Sequence, residues 1–501
     1  MRTLDLDLGG EERRRNVTPE RRDALILFAI LLLATVLRFV GLPGRGAWDD
    51  DQGYQMLTML LWVRDGDVPL QGPISSIPGV HHGVGFYWIL APSAFLTDAN
   101  PVAAAATLAA LGVGGVAATW WLGRTVAGPL AGHVAGLLMA VSPSAISAST
   151  FVWNSNIVAP FAALATAAAW HAWRTVRARW WLLAAVGTLL MLHGHLLAVI
   201  AVPPLAALLV ADVIRRPRAE RRRMLGPALG AAAIVAAGYA PTLIHELRNG
   251  FPETSGGPPL ILRPLIILWR IEVWPISGDV AFAVLGGLFA AMIAAAALVV
   301  AATGRPGVAT QFGRWAVRTI AWAVLTFTFL APTLAEFTPG LPNDQYHTWL
   351  TPIVFAVIGV AVARLISAGL PARTSAIAIV VACVALSLAS MPPLDSPDGG
   401  WPKAAETAVR IRAVAGDQPI AVTGVAKSGA AMAFPLWRDG KPNTSTAEIL
   451  VVTCDRLFER SVGMLCGGPA ESAIARQAGF SRLVGRFEDG PRRVVCLFAR
   501  T

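Results

Sequence analysis

The sequence has few charged residues. Asp, Glu, Lys and Arg together make up 14% of its 501 residues, whereas soluble domains carry about a quarter. Lysine is especially scarce, because Lys403, Lys427 and Lys441 are the only three in the chain. By contrast, 55% of the residues are hydrophobic and the mean hydropathy is +0.57. This composition excludes a soluble enzyme and indicates a polytopic α-helical membrane protein.

The formal charge of +10 comes from arginine. A basic excess can indicate a nucleic-acid partner, but these arginines lie between apolar segments, as the positive-inside rule describes for membrane proteins. We therefore expect no nucleic-acid partner. Several arginines also precede the apolar run 24–40. Residues 1–23 are thus predicted to form a cytoplasmic tail of a protein integral to the plasma membrane.

About 20 apolar residues are needed to cross a hydrocarbon layer about 30 Å thick. The segment 180–213 is too long for one crossing, and arginine clusters flank both of its ends. Since both clusters favour the cytoplasm, we expect this segment to cross, turn near 193–195 or 203–204, and return. The eleven predicted spans are 24–40, 101–122, 126–144, 154–173, two within 180–213, 224–242, 279–303, 317–335, 347–368 and 374–391.

Three segments then lie outside the membrane. They are a first loop at 42–100, a middle loop at 243–278, and residues 392–501, where short β-like runs alternate with helical patterns. The last segment is predicted to be a small extracytoplasmic α/β domain. Its Cys454 and Cys466 are expected to form a disulfide in an oxidising compartment, although Cys496 could compete for either partner.

Three consecutive carboxylates, Asp49, Asp50 and Asp51, follow the first span. Such a cluster requires compensation by a cation, by a divalent metal, or by an acceptor whose proton it takes. The alternative is a solvated helix N-cap, which favours Asp. From the residues alone both interpretations stay open. Farther along the same loop, His81 and His82 precede a short apolar segment, 84–96, that is typical of a helix lying in the membrane interface.

These loop motifs resemble those of the polyprenyl-phosphate-dependent, GT-C type glycosyltransferases, in the branch related to protein O-mannosyltransferases and the lipid A aminoarabinose transferase. That branch has an Asp-Glu or Asp-Gln pair after its first span, then G-x-x-P-L-x-G-x-x-S-S, then H-x-G-P-L-x-Y-Y. The matching stretches here are 51–54, 66–76 and 82–88. Two later stretches, 242–252 and 345–352, are also similar. The resemblance spans roughly residues 25–370. At the second acidic position this chain has Gln52, so the pair of carboxylates is incomplete unless Asp50 substitutes, and Val84 stands where proline is usual.

The resemblance implies a GT-C-like transmembrane domain at 24–391 and a sugar donor linked to a polyprenyl phosphate. The acceptor would be a hydroxyl of a glycan, lipid or protein. Transfer by a single inverting displacement needs a general base, for which Asp51 is the first candidate and Asp50 the second. The expected substrate-binding residues are Gln52, Tyr54, His82, Tyr87, Glu246, Arg248, Arg263, Arg270, Gln345 and Tyr346. A divalent metal, if present, would lie at Asp49, Asp50 and Asp51.

Arg38 and Arg64 are further candidates for the cation that stabilises the departing phosphate, whereas His193 and His195 are expected to be structural. Two other classes of function compete. A lipid-linked sugar transporter or flippase would usually carry ionisable residues inside its spans, and here the acidic cluster lies just outside one. A non-catalytic scaffold of a cell-envelope assembly is the other. The arginine-rich, lysine-poor composition suggests a bacterium, with a decaprenyl or undecaprenyl carrier.

Overall fold

The computed structural model describes residues 19–75, 80–249, 259–277, 284–331, 334, 344–440 and 446–500. Its first part, up to residue 389, is helical. The helices are α1 Pro19–Phe39, α2 Asp50–Asp65, α3 Gly85–Thr97, α4 Pro101–Ala127, α5 Pro129–Val141, α6 Pro143–Ser147, α7 Val158–Thr175, α8 Trp180–Gly194, α9 Val202–Arg215, α10 Arg218–Asn249, α11 Arg263–Ser277, α12 Val284–Ala302, α13 Val308–Leu330, α14 Thr351–Ser367 and α15 Leu370–Ala389.

Five helical segments in the described part of the chain are long and apolar enough to cross a bilayer. They are 101–127, 196–215, 218–240, 348–367 and 370–389. The expected polytopic helical fold with a small C-terminal α/β domain is confirmed, and the protein is integral to a membrane. The number of spans, eleven, stays a prediction. Proline begins α4 and α5, because its fixed φ suits the first turn of a helix and its missing N–H has no partner there.

The segment 180–213 forms two helical arms, and the start of the first arm contacts the end of the second. Helix α8 ends at Gly194, a 3₁₀ helix covers Leu196–Ala201, and α9 continues to Arg215. The Trp181 indole N–H, at the start of α8, donates to Asp212 Oδ2 near the end of α9 at 2.9 Å. Arg216 also pairs with the buried Asp212 at 2.7 Å. The chain therefore reverses direction at the position where the sequence predicted a turn.

Glycine allows the neighbouring helices to approach closely. A Cβ at Gly123 of α4 would lie 2.6 Å from the carbonyl oxygen of Ala131 of α5, and a Cβ at Gly359 of α14 would lie 2.4 Å from the same oxygen. Both distances are shorter than a carbon–oxygen contact allows. Small residues at such crossings are typical of membrane bundles, where helices associate by van der Waals packing.

The C-terminal part folds around a four-stranded sheet. Its elements are α16 Gly400–Ala415, β1 Ile420–Val425, α17 Ala430–Arg438, β2 Ile449–Asp455, α18 Glu459–Val462, α19 Pro469–Gln477, β3 Phe480–Asp489 and β4 Arg493–Arg500. The strand order is β1-β2-β4-β3. Strands β1 and β2 are parallel, and the other pairs are antiparallel. Helices α16 and α17 cover one face of the sheet, and α19 covers the other.

The sulfur atoms of Cys454 and Cys466 are bonded, while Cys383 and Cys496 are buried free thiols.

The sheet domain shares a hydrophobic core with the helices of the first loop. Trp48, Met56 and Met59 of the α2 region pack in one cluster with Phe434 of α17 and Ile411 of α16. Burial of a large apolar side chain contributes roughly 1.5–3 kcal/mol. The C-terminal domain is therefore held against the first loop by apolar packing.

Candidate functional site

The acidic cluster forms the N-terminus of α2. Asp49 is the N-cap, and its carboxylate accepts a hydrogen bond from the Asp51 backbone N–H at 3.0 Å. In return, Gln52 Oε1 accepts from the Asp49 backbone N–H at 2.9 Å. This is a capping box, in which the N-cap residue and the residue three positions later satisfy free backbone donors of the first helical turn. Gln52 is buried. Its side chain takes part in the helix cap, and it also lines the cavity described below.

Asp50 connects α2 to the C-terminal domain. Its Oδ1 accepts a hydrogen bond of 2.7 Å from the backbone N–H of Ala430, the first residue of α17. A helix N-terminus has free N–H groups and a partial positive charge, both of which favour a carboxylate. One turn further on, a Cβ at Gly53 would lie 2.1 Å from the Ala430 carbonyl oxygen. Glycine therefore permits the close approach of α2 to α17.

Asp49 makes a second contact to the same domain. Arg492, which precedes β4, lies with its Nη2 3.5 Å from Asp49 Oδ2 and with its Nε 3.0 Å from Asp455 Oδ2 at the end of β2. The guanidinium thus lies between two carboxylates. The compensation that the three aspartates require is supplied partly by a cation from a distant part of the chain.

A cavity of about 520 Å³ opens beside this cluster. Asp51 faces it from α2, and Trp153, which also lines it, lowers the pKa of Asp51 through a polar contact of its side chain. Gln345 and Tyr346 line the cavity from the segment before α14, and Lys427 lines it from the loop after β1. The structure thus places the acidic motif and the late motif around one cavity.

Burial changes the acidity of all three carboxylates. It raises the pKa of Asp49 to about 7, with repulsion from Asp51 adding to the rise and Arg492 opposing it. Burial also raises the pKa of Asp50, against the hydrogen bond from Ala430. It raises the pKa of Asp51 too, and there the ammonium of Lys427 is the largest opposing influence. A carboxylate whose pKa is raised toward neutrality is a stronger proton acceptor.

The histidine motif packs beside the cavity rather than in the part of its wall that the structure describes. The His82 ring lies 4.8 Å from the His195 ring, centre to centre, and His195 lies 5.0 Å from Tyr346. Burial lowers the pKa of His82 to about 4, so this ring is neutral. Tyr87 is buried on α3. His195, expected to be structural, therefore touches both the first-loop motif and the late motif.

The other arginine candidates have different surroundings. Arg270 is buried and donates to the Leu334 carbonyl, and Arg263 donates to the Thr328 carbonyl at 3.5 Å. Neither belongs to the cavity wall as far as the structure describes it. Arg38 donates to the Ala140 carbonyl at the end of α5, and the exposed Arg64 pairs with Asp98. The side chains of Glu246 and Arg248 lie outside the described residues.

Trp153, Lys427 and Arg492 are residues of the wall that the sequence did not indicate. The signal for Lys427 was present, since it is one of three lysines in the chain and follows a predicted strand. Arg492 and Trp153 had no comparable signal, because many arginines and tryptophans occur in such sequences. The metal expected at Asp49, Asp50 and Asp51 stays a hypothesis. Asp49 and Asp50 each already have one oxygen engaged by a backbone N–H, which leaves fewer free ligand atoms.

The fold has counterparts among solved structures. It aligns with ArnT from Cupriavidus metallidurans bound to undecaprenyl phosphate, with a TM-score of 0.54, 14% identity, and coverage of 95% of this chain and 97% of that one. It also aligns with the oligosaccharyltransferase AglB from Archaeoglobus fulgidus in complex with an inhibitory peptide and a dolichol-phosphate, with a TM-score of 0.51, 12% identity, and coverage of 88% and 70%. The chain therefore has the fold of the GT-C type membrane glycosyltransferases.

Residues 81–245 match the model of the dolichyl-phosphate-mannose-protein mannosyltransferase family. The match covers about a third of the chain and includes the histidine motif of the first loop. Together with the fold, it confirms the resemblance to polyprenyl-phosphate-dependent GT-C enzymes. Compared by sequence with curated proteins, the chain has no match.

Proposed function

We propose that this protein transfers a sugar from a polyprenyl-phosphate donor to an acceptor hydroxyl, with Asp51 as the general base. The observation that carries the proposal is the cavity beside α2. Asp51 of the acidic motif lines this cavity together with Gln345 and Tyr346 of the late motif. The matched family and the lipid phosphates named in the two similar structures support a polyprenyl-phosphate donor.

Asp51 is a better candidate for the base than its neighbours. Asp49 caps α2 and pairs with Arg492, and Asp50 is bonded to the start of α17. Asp51 lines the cavity, where the Trp153 side chain makes a polar contact with it. Its carboxylate therefore keeps acceptor capacity for a substrate proton, since an ionised carboxyl group has about four acceptor positions.

The proposed reaction is a single displacement. The acceptor hydroxyl gives its proton to Asp51 while its oxygen forms a bond to the anomeric carbon of the donor sugar. The bond between that carbon and the phosphate oxygen breaks, and the polyprenyl phosphate leaves with the electron pair. Attack opposite the leaving group inverts the anomeric centre, and no enzyme nucleophile is needed. Gln345 lines the cavity, and its buried Oε1 has no hydrogen-bond partner among the described residues.

The proposed orientation follows the arginine distribution. Arg174 and Arg216 lie at the end of the helical bundle away from the cavity, and this end is assigned to the cytoplasm. The cavity and the C-terminal domain then lie on the outer face, where the donor enters from the surrounding membrane lipid.

The test compares Asp51→Asn with Asp65→Asn in purified protein. Undecaprenyl phosphate linked to mannose or to aminoarabinose serves as donor, an extract of membrane lipids and glycans supplies the acceptor hydroxyl, and release of undecaprenyl phosphate is measured. Asp51→Asn is expected to lower release by about a hundredfold or more, since a positioned base contributes about 10²–10⁴ to a rate. Asp65 is exposed at the other end of α2, and its substitution should leave the rate unchanged.

Binding of undecaprenyl phosphate is measured in the same preparations. Asp51→Asn should still bind the lipid, because the base acts on the acceptor. Wild-type protein that neither binds this lipid nor releases it from either donor would contradict the proposed function. Turnover that survives Asp51→Asn would instead remove Asp51 from the mechanism.

A further inference from the structure

The carboxyl edge of the parallel strand pair β1–β2 faces the acidic cavity. β1 ends at Val425 and β2 at Asp455, and the residues that follow them, Lys427, Leu457 and Phe458, line the cavity. In α/β domains, ligands bind beyond the carboxyl ends of parallel strands. The C-terminal domain therefore presents its usual ligand-binding edge to the proposed catalytic site.

The loop that carries Lys427 is fixed in position. Ala426 has a φ of 53°, in the left-handed region that residues with a Cβ rarely adopt. Two residues later, Ser428 is buried, and its hydroxyl donates to the carbonyl oxygens of Val425 and Thr453. Backbone conformations of this kind persist where the surrounding structure enforces them, and they are frequent at ligand sites.

The charge of Lys427 is not neutralised by a direct ion pair in the described part of the chain. Its Nζ lies 3.5 Å from the Ser75 carbonyl oxygen. None of the described carboxylate oxygens lies close enough to this nitrogen to form an ion pair. Arg492, the other cation of the cavity wall, is held between Asp49 and Asp455. Lys427 is half-buried, so its ammonium keeps donor capacity directed at the cavity.

We infer that Lys427 binds the phosphate of the lipid-linked donor, so that the C-terminal domain contributes the anion site of the cavity. This inference rests on the proposed function. As the sugar leaves, negative charge gathers on the phosphate oxygens, and a fixed ammonium stabilises that charge. Asp51 and Lys427 approach the cavity from different segments, 376 positions apart in the chain.

The experiment measures binding of undecaprenyl phosphate to the full-length protein in detergent, by native mass spectrometry and by thermal stabilisation. Lys427→Met removes the charge and keeps most of the side-chain length. It is expected to weaken binding by about tenfold to a hundredfold, the loss typical of one hydrogen bond to a charged group. Lys427→Arg should retain most of the affinity because it keeps the charge.

Lys403→Met is the matched control, because Lys403 lies on the same domain but pairs with Glu406 away from the cavity. It should bind the lipid like wild type. Binding by Lys427→Met that equals wild type overturns the inference and leaves the proposed function intact. Equal loss in Lys427→Met and Lys427→Arg also overturns it, since the charge would then not be what matters. Wild-type protein that fails to bind undecaprenyl phosphate overturns both.

Discussion

Asp51 is half-buried beside a cation, and both its burial and the cation set its acidity. Burial raises its pKa, while Lys427, the polar contact with Trp153, and Arg492 lower it in that order. A general base acts in its ionised form, so the rate of transfer should rise with pH as Asp51 loses its proton. Since burial prevails, this rise should lie above the usual range of an aspartate.

Removing the charge of Lys427 should move that rise to higher pH. Lys427→Met takes away the largest influence that lowers the pKa of Asp51, so ionisation of Asp51 then requires a higher pH. The measurement is the pH profile of kcat for release of undecaprenyl phosphate at saturating donor, in wild type, Lys427→Met and Lys403→Met. If kcat of Lys427→Met rises over the same pH range as kcat of wild type, Lys427 does not act on the base.

Gln52 shows why the resemblance to a family motif was incomplete at one residue. The position takes the N3 place of a capping box, where Gln and Glu both serve. A glutamate there would add a fourth carboxylate beside Asp49, Asp50 and Asp51. Glutamine keeps the hydrogen bond to the Asp49 N–H without adding that charge. The departure from the family pattern thus has a physical reason at the helix N-terminus.

For the helices and turns, the sequence predicted those features that depend on local pattern and on charge. Arginines on both sides of 180–213 predicted its reversal, which the contact between Trp181 and Asp212 shows. The capping interpretation of Asp49 was also available from the sequence. The packing of α2 against α17 was not, because it depends on residues almost 380 positions apart whose partners no local pattern specifies. For the same reason, the sequence did not predict that Arg270 would lie buried inside the bundle.

The contact between α2 and α17 depends on Gly53. In an exposed helix interior, Gly→Ala normally stabilises by about 1 kcal/mol. Here the added Cβ would meet the Ala430 carbonyl oxygen at 2.1 Å, so Gly53→Ala should instead separate the two helices and displace Asp50 and Lys427. We expect a lower melting temperature and a loss of transfer activity, measured by thermal unfolding and by release of undecaprenyl phosphate.

Gly114→Ala is the control for this substitution. Gly114 lies within α4, and a Cβ there would meet nothing within 4 Å. This variant should keep its activity and melt at the wild-type temperature or slightly above it. If Gly53→Ala behaved in the same way, the close approach of α2 to α17 would not be needed for function.

At the scale of the whole molecule, the site is assembled from three separate parts of the chain: the first loop, the segment before α14, and the carboxyl edge of the C-terminal sheet. The first two carried recognisable motifs, so the sequence predicted them. The third carried none, so the sequence assigned no role to this domain. Its shared core with α2 and its ion pair to Asp49 make it part of the site.

This arrangement requires the cavity, the C-terminal domain and the Cys454–Cys466 disulfide to lie on one side of the membrane. In the orientation that we propose from the arginine distribution, that side is the outside. The natural cysteines are either bonded or buried, so they should react little with a membrane-impermeant maleimide. Exposed Ser481 of β3 and Arg305 between α12 and α13 are therefore suitable positions for single reporter cysteines. In intact cells, Ser481→Cys should be labelled, and Arg305→Cys should be labelled after the membrane is permeabilised. The reverse pattern would place the cavity in the cytoplasm, and labelling of both in intact cells would contradict an odd number of crossings between them.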